Sequence, residues 1–336
     1  MKRHILSLVG GLLAFLMGYC VASAADVPGA FSSEGPALTA FNDRSFLAWA
    51  GDSGVSAHPV WYSSLDGSWT TPAQIPNALT TSAPALGVAD QRLYLATTPP
   101  AADDKIQVYV WDGSAFEADG ATLCDAQTCA HTRAAPALLG DGATLYAAWS
   151  TPTGAIRYAM MVNGVWDIAP LPIPNATTSP TTGPTLALYG HELHVAWVEP
   201  SGETVAVAAA TLPLTSSSWS NQHAKIPVKT KVAPALGVFT VANTTVAPSA
   251  ALFVSWTTPE STISFARWDS STVEWMPADS PIPLPSGALT SFAPALNGST
   301  FKSPTQECYY TNGLAYTNED KPHRKVDKRS ARTPCP

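Results

Sequence analysis

Apolar and polar positions alternate in short runs along this chain, and the runs return in a fixed order. From Pro36 to Phe41 small and apolar residues alternate, Asn42-Asp43-Arg44 reads as a turn, and Phe46-Leu47-Ala48-Trp49 resumes the pattern as a second strand. A polar loop with Gly51 and Gly54 leads to a third run, Val60-Trp61-Tyr62-Ser63-Ser64. Asp66-Gly67 then predicts a type I′ hairpin, and a fourth strand opens at Trp69. The start of this unit, Gly35-Pro36-Ala37-Leu38, recurs around Pro84, Pro136, Pro184, Pro234 and Pro294, at spacings of 48, 52, 48, 50 and 60 residues. Asp112-Gly113 and Asn163-Gly164 repeat the third turn, and Trp149, Trp197 and Trp256 repeat Trp49, whereas the second copy has Thr97 there.

Four short strands per copy, with no helical period, predict an all-β fold: a β-propeller of four-stranded blades. Val27-Pro28 stands before Pro36 as Ile75-Pro76 stands before Pro84, so the N-terminal segment reads as the tail of a fourth strand. At the other end the copy begun at Pro294 degenerates, although Glu307 to Thr317 reads as a hairpin around Asn312-Gly313. A six-bladed ring with a shortened last blade explains both ends; five blades plus an accessory hairpin is the alternative. The propeller is expected over 25–317, followed by a polar basic tail over 318–336.

Lys2 and Arg3, the apolar run Ile5 to Val21 and Ala22-Ser23-Ala24 have the order of a secretory signal over residues 1–24, too short and glycine-broken for a membrane span. Export to the periplasm or the extracellular space is therefore expected, with no membrane span once the signal is removed. Without it the chain holds 16 basic against 25 acidic residues, a net of −9, and residues 25–301 alone hold 9 against 21, or −12. Such a body repels phosphate backbones, which argues against nucleic acid as a partner. The four remaining cysteines predict two disulfides, the sequence-local pairing being Cys124 with Cys129 and Cys308 with Cys335, with two other connectivities open.

The unit Gly35 to Trp49, followed by Trp61-Tyr62-Ser63-Ser64-Leu65-Asp66-Gly67-Ser68-Trp69, resembles the repeats of secreted bacterial propellers of the sialidase-like and lectin-like kind. Ser64, Asp66, Gly67 and Trp69 look like a shortened Asp box, a turn motif that in such propellers supports the fold. The resemblance implies a secreted propeller with a glycan or another extracellular surface as partner. The catalytic residues of sialidases do not carry over. Residues 25–301 hold only Arg44, Arg92, Arg133, Arg157 and Arg267, and no arginine motif precedes the first repeat.

Propeller glycosidases need carboxylates a few ångströms apart around the channel. The inner-strand segments at Pro36–Phe41, Pro84–Val88, Pro136–Leu139, Pro184–Tyr189 and Pro234–Phe239 contain none. His191-Glu192-Leu193-His194 does not read as a metal motif, because its histidines fall in a turn and a strand rather than on one helical face. No cofactor or metal is expected, and no catalytic residue is assigned. The candidates are third-strand aromatics with nearby arginines, which suit sugar rings and their hydroxyls: Trp61, Tyr62, Trp111, Arg157, Tyr158, Arg267 and Trp268. In this reading Trp61 aligns with Gln107 and Tyr158, and Trp111 and Trp268 with Leu65 and Val162. The expected function is non-catalytic, lectin-like glycan binding at inter-blade sites. A protein-interaction scaffold and a divergent glycosidase are the alternatives.

Overall fold

The computed structural model describes residues 23–53, 56–100, 104–124, 129–167, 173–201, 204–214, 218–220, 224–243, 246–277, 294–302, 308–318 and 325–334. They contain no helix, and their strands form six antiparallel sheets. Blade one is Ala37–Phe41, Arg44–Ala50 and His58–Asp66, with an outer edge split into Ser68–Trp69 and Ala73–Thr80. Blade two is Ala85–Ala89, Arg92–Thr97, Gln107–Trp111 and Phe116–Thr122. Blade three is Ala137–Asp141, Thr144–Ser150, Ile156–Val162 and Val165–Asp167. Blade four is Thr185–Tyr189, Glu192–Ser201, Thr204–Pro213 and Ala224–Val228. Blade five is Ala235–Asn243, Val246–Thr257, Ile263–Asp269 and Glu274–Pro277.

Blade six draws on both ends of the chain. Its inner strands are Ala295–Lys302, Cys308–Asn318 and Lys325–Pro334, and its outer strand is the N-terminal Ser23–Phe31, with Ala25 opposite Lys328 and Asp26 opposite Asp327. The N-terminal segment thus completes a fourth strand, as its sequence suggests. The last blade, however, is not shortened. Asn312-Gly313 lies inside one long strand, with Asn312 paired to Gly298 on one side and Ala331 on the other. Most of the segment read as a polar tail is the blade's third strand. A ladder on each side outweighs the local turn preference of Asn-Gly and the polar composition of residues 325–334. The signal segment lies outside the described residues, apart from Ser23 and Ala24, as does Cys335.

Alternation along the inner strands explains the repeated Pro-Ala-Leu. Successive side chains point to opposite faces of a blade. The leucine therefore packs against the preceding blade and the alanine against the next. Leu86 meets the Ala37 cluster, Leu138 that of Ala85, Leu186 that of Ala137 and Leu296 that of Ala235. Leu38 meets Ala295, which closes the ring. Near the axis the blades stand closest, and a large residue facing a small one fills the gap. The tightest approach is at Gly140, where a Cβ would fall 1.4 Å from the Val88 carbonyl oxygen. The chain is a six-bladed β-propeller.

The two rims of the ring are built differently. On one rim inner and second strands meet in two-residue turns, and Asn42-Asp43, Asp90-Gln91 and Gly190-His191 have both residues at positive φ, as type I′ requires. At the third turn only Asn163-Gly164 meets that requirement. At Asp66-Gly67 and Asp112-Gly113 the glycine alone is left-handed. Asp112 instead caps its own turn, its Oδ1 accepting from the Ser114 and Ala115 amides at 2.7 and 2.8 Å. On the opposite rim a buried hydroxyl four residues before the blade's proline ties the entry loop. Ser32 donates to the Ala50 carbonyl at 3.0 Å, Thr80 to that of Ser82 at 2.8 Å, and Thr132 to that of Ala134 at 3.2 Å. Cys124–Cys129 is disulfide-bonded and closes the blade-two insertion.

Candidate functional site

The inner strands surround an axial cavity of about 370 Å³, lined by Leu38, Leu86, Leu138, Leu186, Leu236 and Leu296 together with their neighbours. No acid or base is among its lining residues. Nor do three or more His, Cys, Asp or Glu side chains group as metal ligands among the described residues. The aromatic and arginine candidates lie in the grooves between blades.

Directly opposed residues of an antiparallel pair share a face, so pairing assigns each candidate to a groove. Trp61 stands opposite Trp49 and faces blade six. Tyr62 and Trp111 meet between blades one and two, their rings edge-on at 5.4 Å, each also edge-on to Phe116. Arg157 lies opposite Trp149, facing blade two. Tyr158 faces blade four and Trp268 faces blade four from the other side. Arg267, opposite Phe253, faces blade six. The seven candidates thus spread over all six grooves, and only Tyr62 and Trp111 come together. The pairing also corrects two alignments: the residue equivalent to Trp61 is Arg157, not Tyr158, and Trp268 corresponds to Met161, not Val162.

Burial separates the candidates further. Tyr158 is 6% exposed and edge-on to Trp219 at 5.1 Å, and Trp268 is 7% exposed between His194 and Trp275. Rings enclosed in this way have no face left for a sugar, so these two are core residues. Burial pushes the Tyr158 hydroxyl above its ordinary pKa; the same cause, reinforced by Asp112, raises that of Tyr62. His194 takes the position held by Phe46 in blade one, buried against Trp268. It is neutral, donating from Nε2 to the Tyr189 carbonyl at 3.3 Å, and desolvation lowers its pKa to about 4.

Trp61 remains half-buried, and its surroundings are particular to blade one. Trp49, Trp61 and Gln74 stand in one register across the second, third and outer strands, grading from 1% exposed at Trp49 to an open Gln74. Gly51 forms the bed of the indole: a Cβ there would fall 2.8 Å from Trp61 Cδ1 and Nε1. Half-buried Trp69 packs into the same cluster. Gln74 was not an evident candidate in the sequence, because the outer strand is bulged and its register with Trp61 cannot be counted, while Gly51 read as a loop glycine and Trp69 as the opening of the fourth strand.

The sequence matches no family model and no curated protein. Solved structures match most of the chain. The SapL1 lectin in complex with alpha methyl fucoside is similar with a TM-score of 0.57 at 13% identity, over 88% of this chain and 95% of that one. A six-bladed fungal lectin from Aleuria aurantia, solved for its fucose recognition, gives 0.52 at 14% identity over 85% and 93%. A mutant of NanB sialidase from Streptococcus pneumoniae gives 0.59 at 10% identity over 92% and 69%. At such identities the likeness establishes the propeller fold. The Asp-box reading of residues 64–69 gains no sequence support, and in the structure Asp66 pairs with Arg44 at 3.4 Å.

Proposed function

We propose that the protein is a secreted, non-catalytic propeller that binds glycans in grooves between its blades. The observation that carries this reading is the open aromatic surface in two of the grooves, Trp61 with Trp69 and Tyr62 with Trp111, around an axis lined by no carboxylate. Aromatic faces stack on the C–H surfaces of sugars, and amide or hydroxyl groups beside them take the hydroxyls. Lectins of the same fold support it, and fucosides belong in the screen, since one of these lectins is in complex with alpha methyl fucoside and another was solved for its fucose recognition. Several modest sites on one ring would add by avidity on a multivalent surface. The purified protein on a broad glycan array is expected to bind a limited set of sugars, and silence across all classes overturns the reading.

One observation favours a second reading. The hairpin rim carries Asp43, Asp90, Asp112, Asp141 and Asp269 besides the Asp66–Arg44 pair, an acidic excess over Arg92 that suits a basic protein partner. Capture of a partner from the secreted fraction that survives deglycosylation would favour such a scaffold. Release of chromogenic aglycones, lost on substituting a loop acid such as Asp52, Glu199 or Glu260, would instead revive a glycosidase.

A further inference from the structure

We propose that the principal sugar site is the seam groove between blades six and one, where Trp61 stacks on a pyranose ring and Gln74 takes its hydroxyls, and that a bound sugar thereby holds the ring closed. This rests on the glycan-binding reading above.

Comparison of the copies at one register singles out this groove. Opposite the second-strand position of Trp49, blade one places Trp61, while blades two to five place Gln107, Arg157, Ala208 and Ser264. Two residues after that position, blade one has Gly51, while the others have Pro99, Thr151, Glu199 and Thr258. The two differences belong together, since any side chain at 51 would drive into the indole. The bed is also fixed: Gly51 donates to the Pro59 carbonyl at 2.8 Å and bridges to Ser32, and the Asp52 amide donates to the Phe31 carbonyl at 3.3 Å. In blade four the corresponding register is closed by the ion pair of Glu199 with Lys225. Blade one leaves the equivalent place to an uncharged, exposed Gln74, whose amide both donates and accepts, as a sugar diol requires.

The walls of this groove come from distant parts of the chain. Trp61 and Trp69 pack against the cluster that joins Trp49 and Leu47 of blade one to Val27 and Ala30 of the closing strand and Ala295 of blade six. Opening the seam therefore destroys the site, and a ligand that binds only the closed ring must stabilise closure by linkage. The fitting ligand is a neutral pyranoside with a continuous C–H face and adjacent ring-edge hydroxyls.

The test uses the full exported chain and methyl pyranosides of glucose, galactose, mannose, fucose and N-acetylglucosamine, read by tryptophan fluorescence and calorimetry. Trp61→Ala and Gly51→Ser are expected to weaken binding of the best of these about tenfold or more, as loss of one stacking contact implies. Trp61→Phe should retain part of it, and Val165→Ser on blade three should leave it unchanged. Hydrogen exchange of residues 25–31 should slow at saturating sugar. Unchanged binding by Trp61→Ala, or loss on Trp111→Ala in its place, overturns the seam assignment while leaving glycan binding standing. Unchanged exchange of the closing strand overturns the coupling, and absence of binding to any glycan overturns the reading beneath both.

Discussion

The interface between blades four and five and the seam between blades six and one use the same parts to opposite ends. Both place a second-strand tryptophan behind an inner-strand leucine, Trp256 behind Leu236 and Trp49 behind Leu38. Between blades four and five the space further out is filled by Trp268, Trp275 and His194, all at most 7% exposed. At the seam that space holds Trp61 and Trp69 with part of each ring uncovered. An aromatic residue at a repeat position therefore has no fixed meaning; what decides its role is how far the next blade closes over it.

Stability separates the two regions most sharply. Trp268→Ala should cost about 3–5 kcal/mol, since it removes a ring enclosed on every side and leaves a cavity. Trp61→Ala, with solvent already on one side, should cost clearly less, about 1–2 kcal/mol by the area it buries. Urea unfolding of the two variants measures the difference, and equal losses would mean that the seam is as closed as the interior.

The second test is pH. His194 has a folded-state value near 4 against 6.5 when exposed, so the unfolded chain binds the extra proton first. Its neutral form stabilises the fold fully above about pH 6.5, and that contribution is lost as the pH falls toward 4, by about 3 kcal/mol in all. Denaturation at pH 7 and pH 4.5 should show the loss, and His194→Phe, which copies blades one and five at this position, should remove it. A slope unchanged in that variant would place the acid sensitivity elsewhere, the seam included.

These contrasts also mark what the sequence disclosed. The blade plan was legible from Pro36, Trp49 and their recurrences, because period-two alternation and turn residues are local signals. The burial of the second-strand tryptophans followed from the same alternation. Blade six was legible only in part: the N-terminal closing strand could be read, whereas the polar Lys325–Pro334 becomes a strand through a ladder on each side, with Cys308–Asn318 and with Ser23–Phe31 some 300 residues away, which no local propensity reports. The candidate site was half legible. Trp61 and Trp111 could be named from their irregular recurrence, but Tyr158 and Trp268 were indistinguishable from them until the neighbouring blade was in place. Gly51 looked like a loop glycine, and its service to Trp61 is a contact between side chain and backbone that repeats alone do not reveal.

A finer comparison concerns the hydroxyl that begins each blade. Ser32, fully buried at the seam, has the Glu34 and Ala50 carbonyls at 2.8 and 3.0 Å as acceptors for its one proton and itself accepts from the Glu34 amide at 3.2 Å, whereas the Thr230 hydroxyl on the approach to blade five reaches only Val232, at 3.4 Å. Ser32→Ala should therefore cost about 1–2 kcal/mol by removing a fully buried hydroxyl that ties the entry loop to the end of the second strand, and Thr230→Val less than about 1 kcal/mol. Thermal unfolding of the pair measures it, and the reverse order would show that the seam entry is the looser of the two.

The smallest expected effect lies on the hairpin rim beneath the seam. Arg44 and Asp66 form an ion pair at 3.4 Å with half or more of each side chain exposed. Water screens such a pair, and holding two mobile side chains together offsets most of the attraction, so Arg44→Ala should change stability by less than about 0.5 kcal/mol. Salt should matter as little, since raising ionic strength removes an interaction that is already weak. A loss above about 1 kcal/mol that vanished in high salt would reveal a rim held together by charge, and the turn at Asp66-Gly67 would then depend on Arg44. The contrast with Asp112 makes this decisive, because Asp112 holds its turn through its own amides and needs no partner on the second strand. Asp112→Ala should therefore loosen the blade-two turn to the same extent at any salt concentration, while the blade-one turn, with a glycine supplying the left-handed residue, should persist without its ion pair.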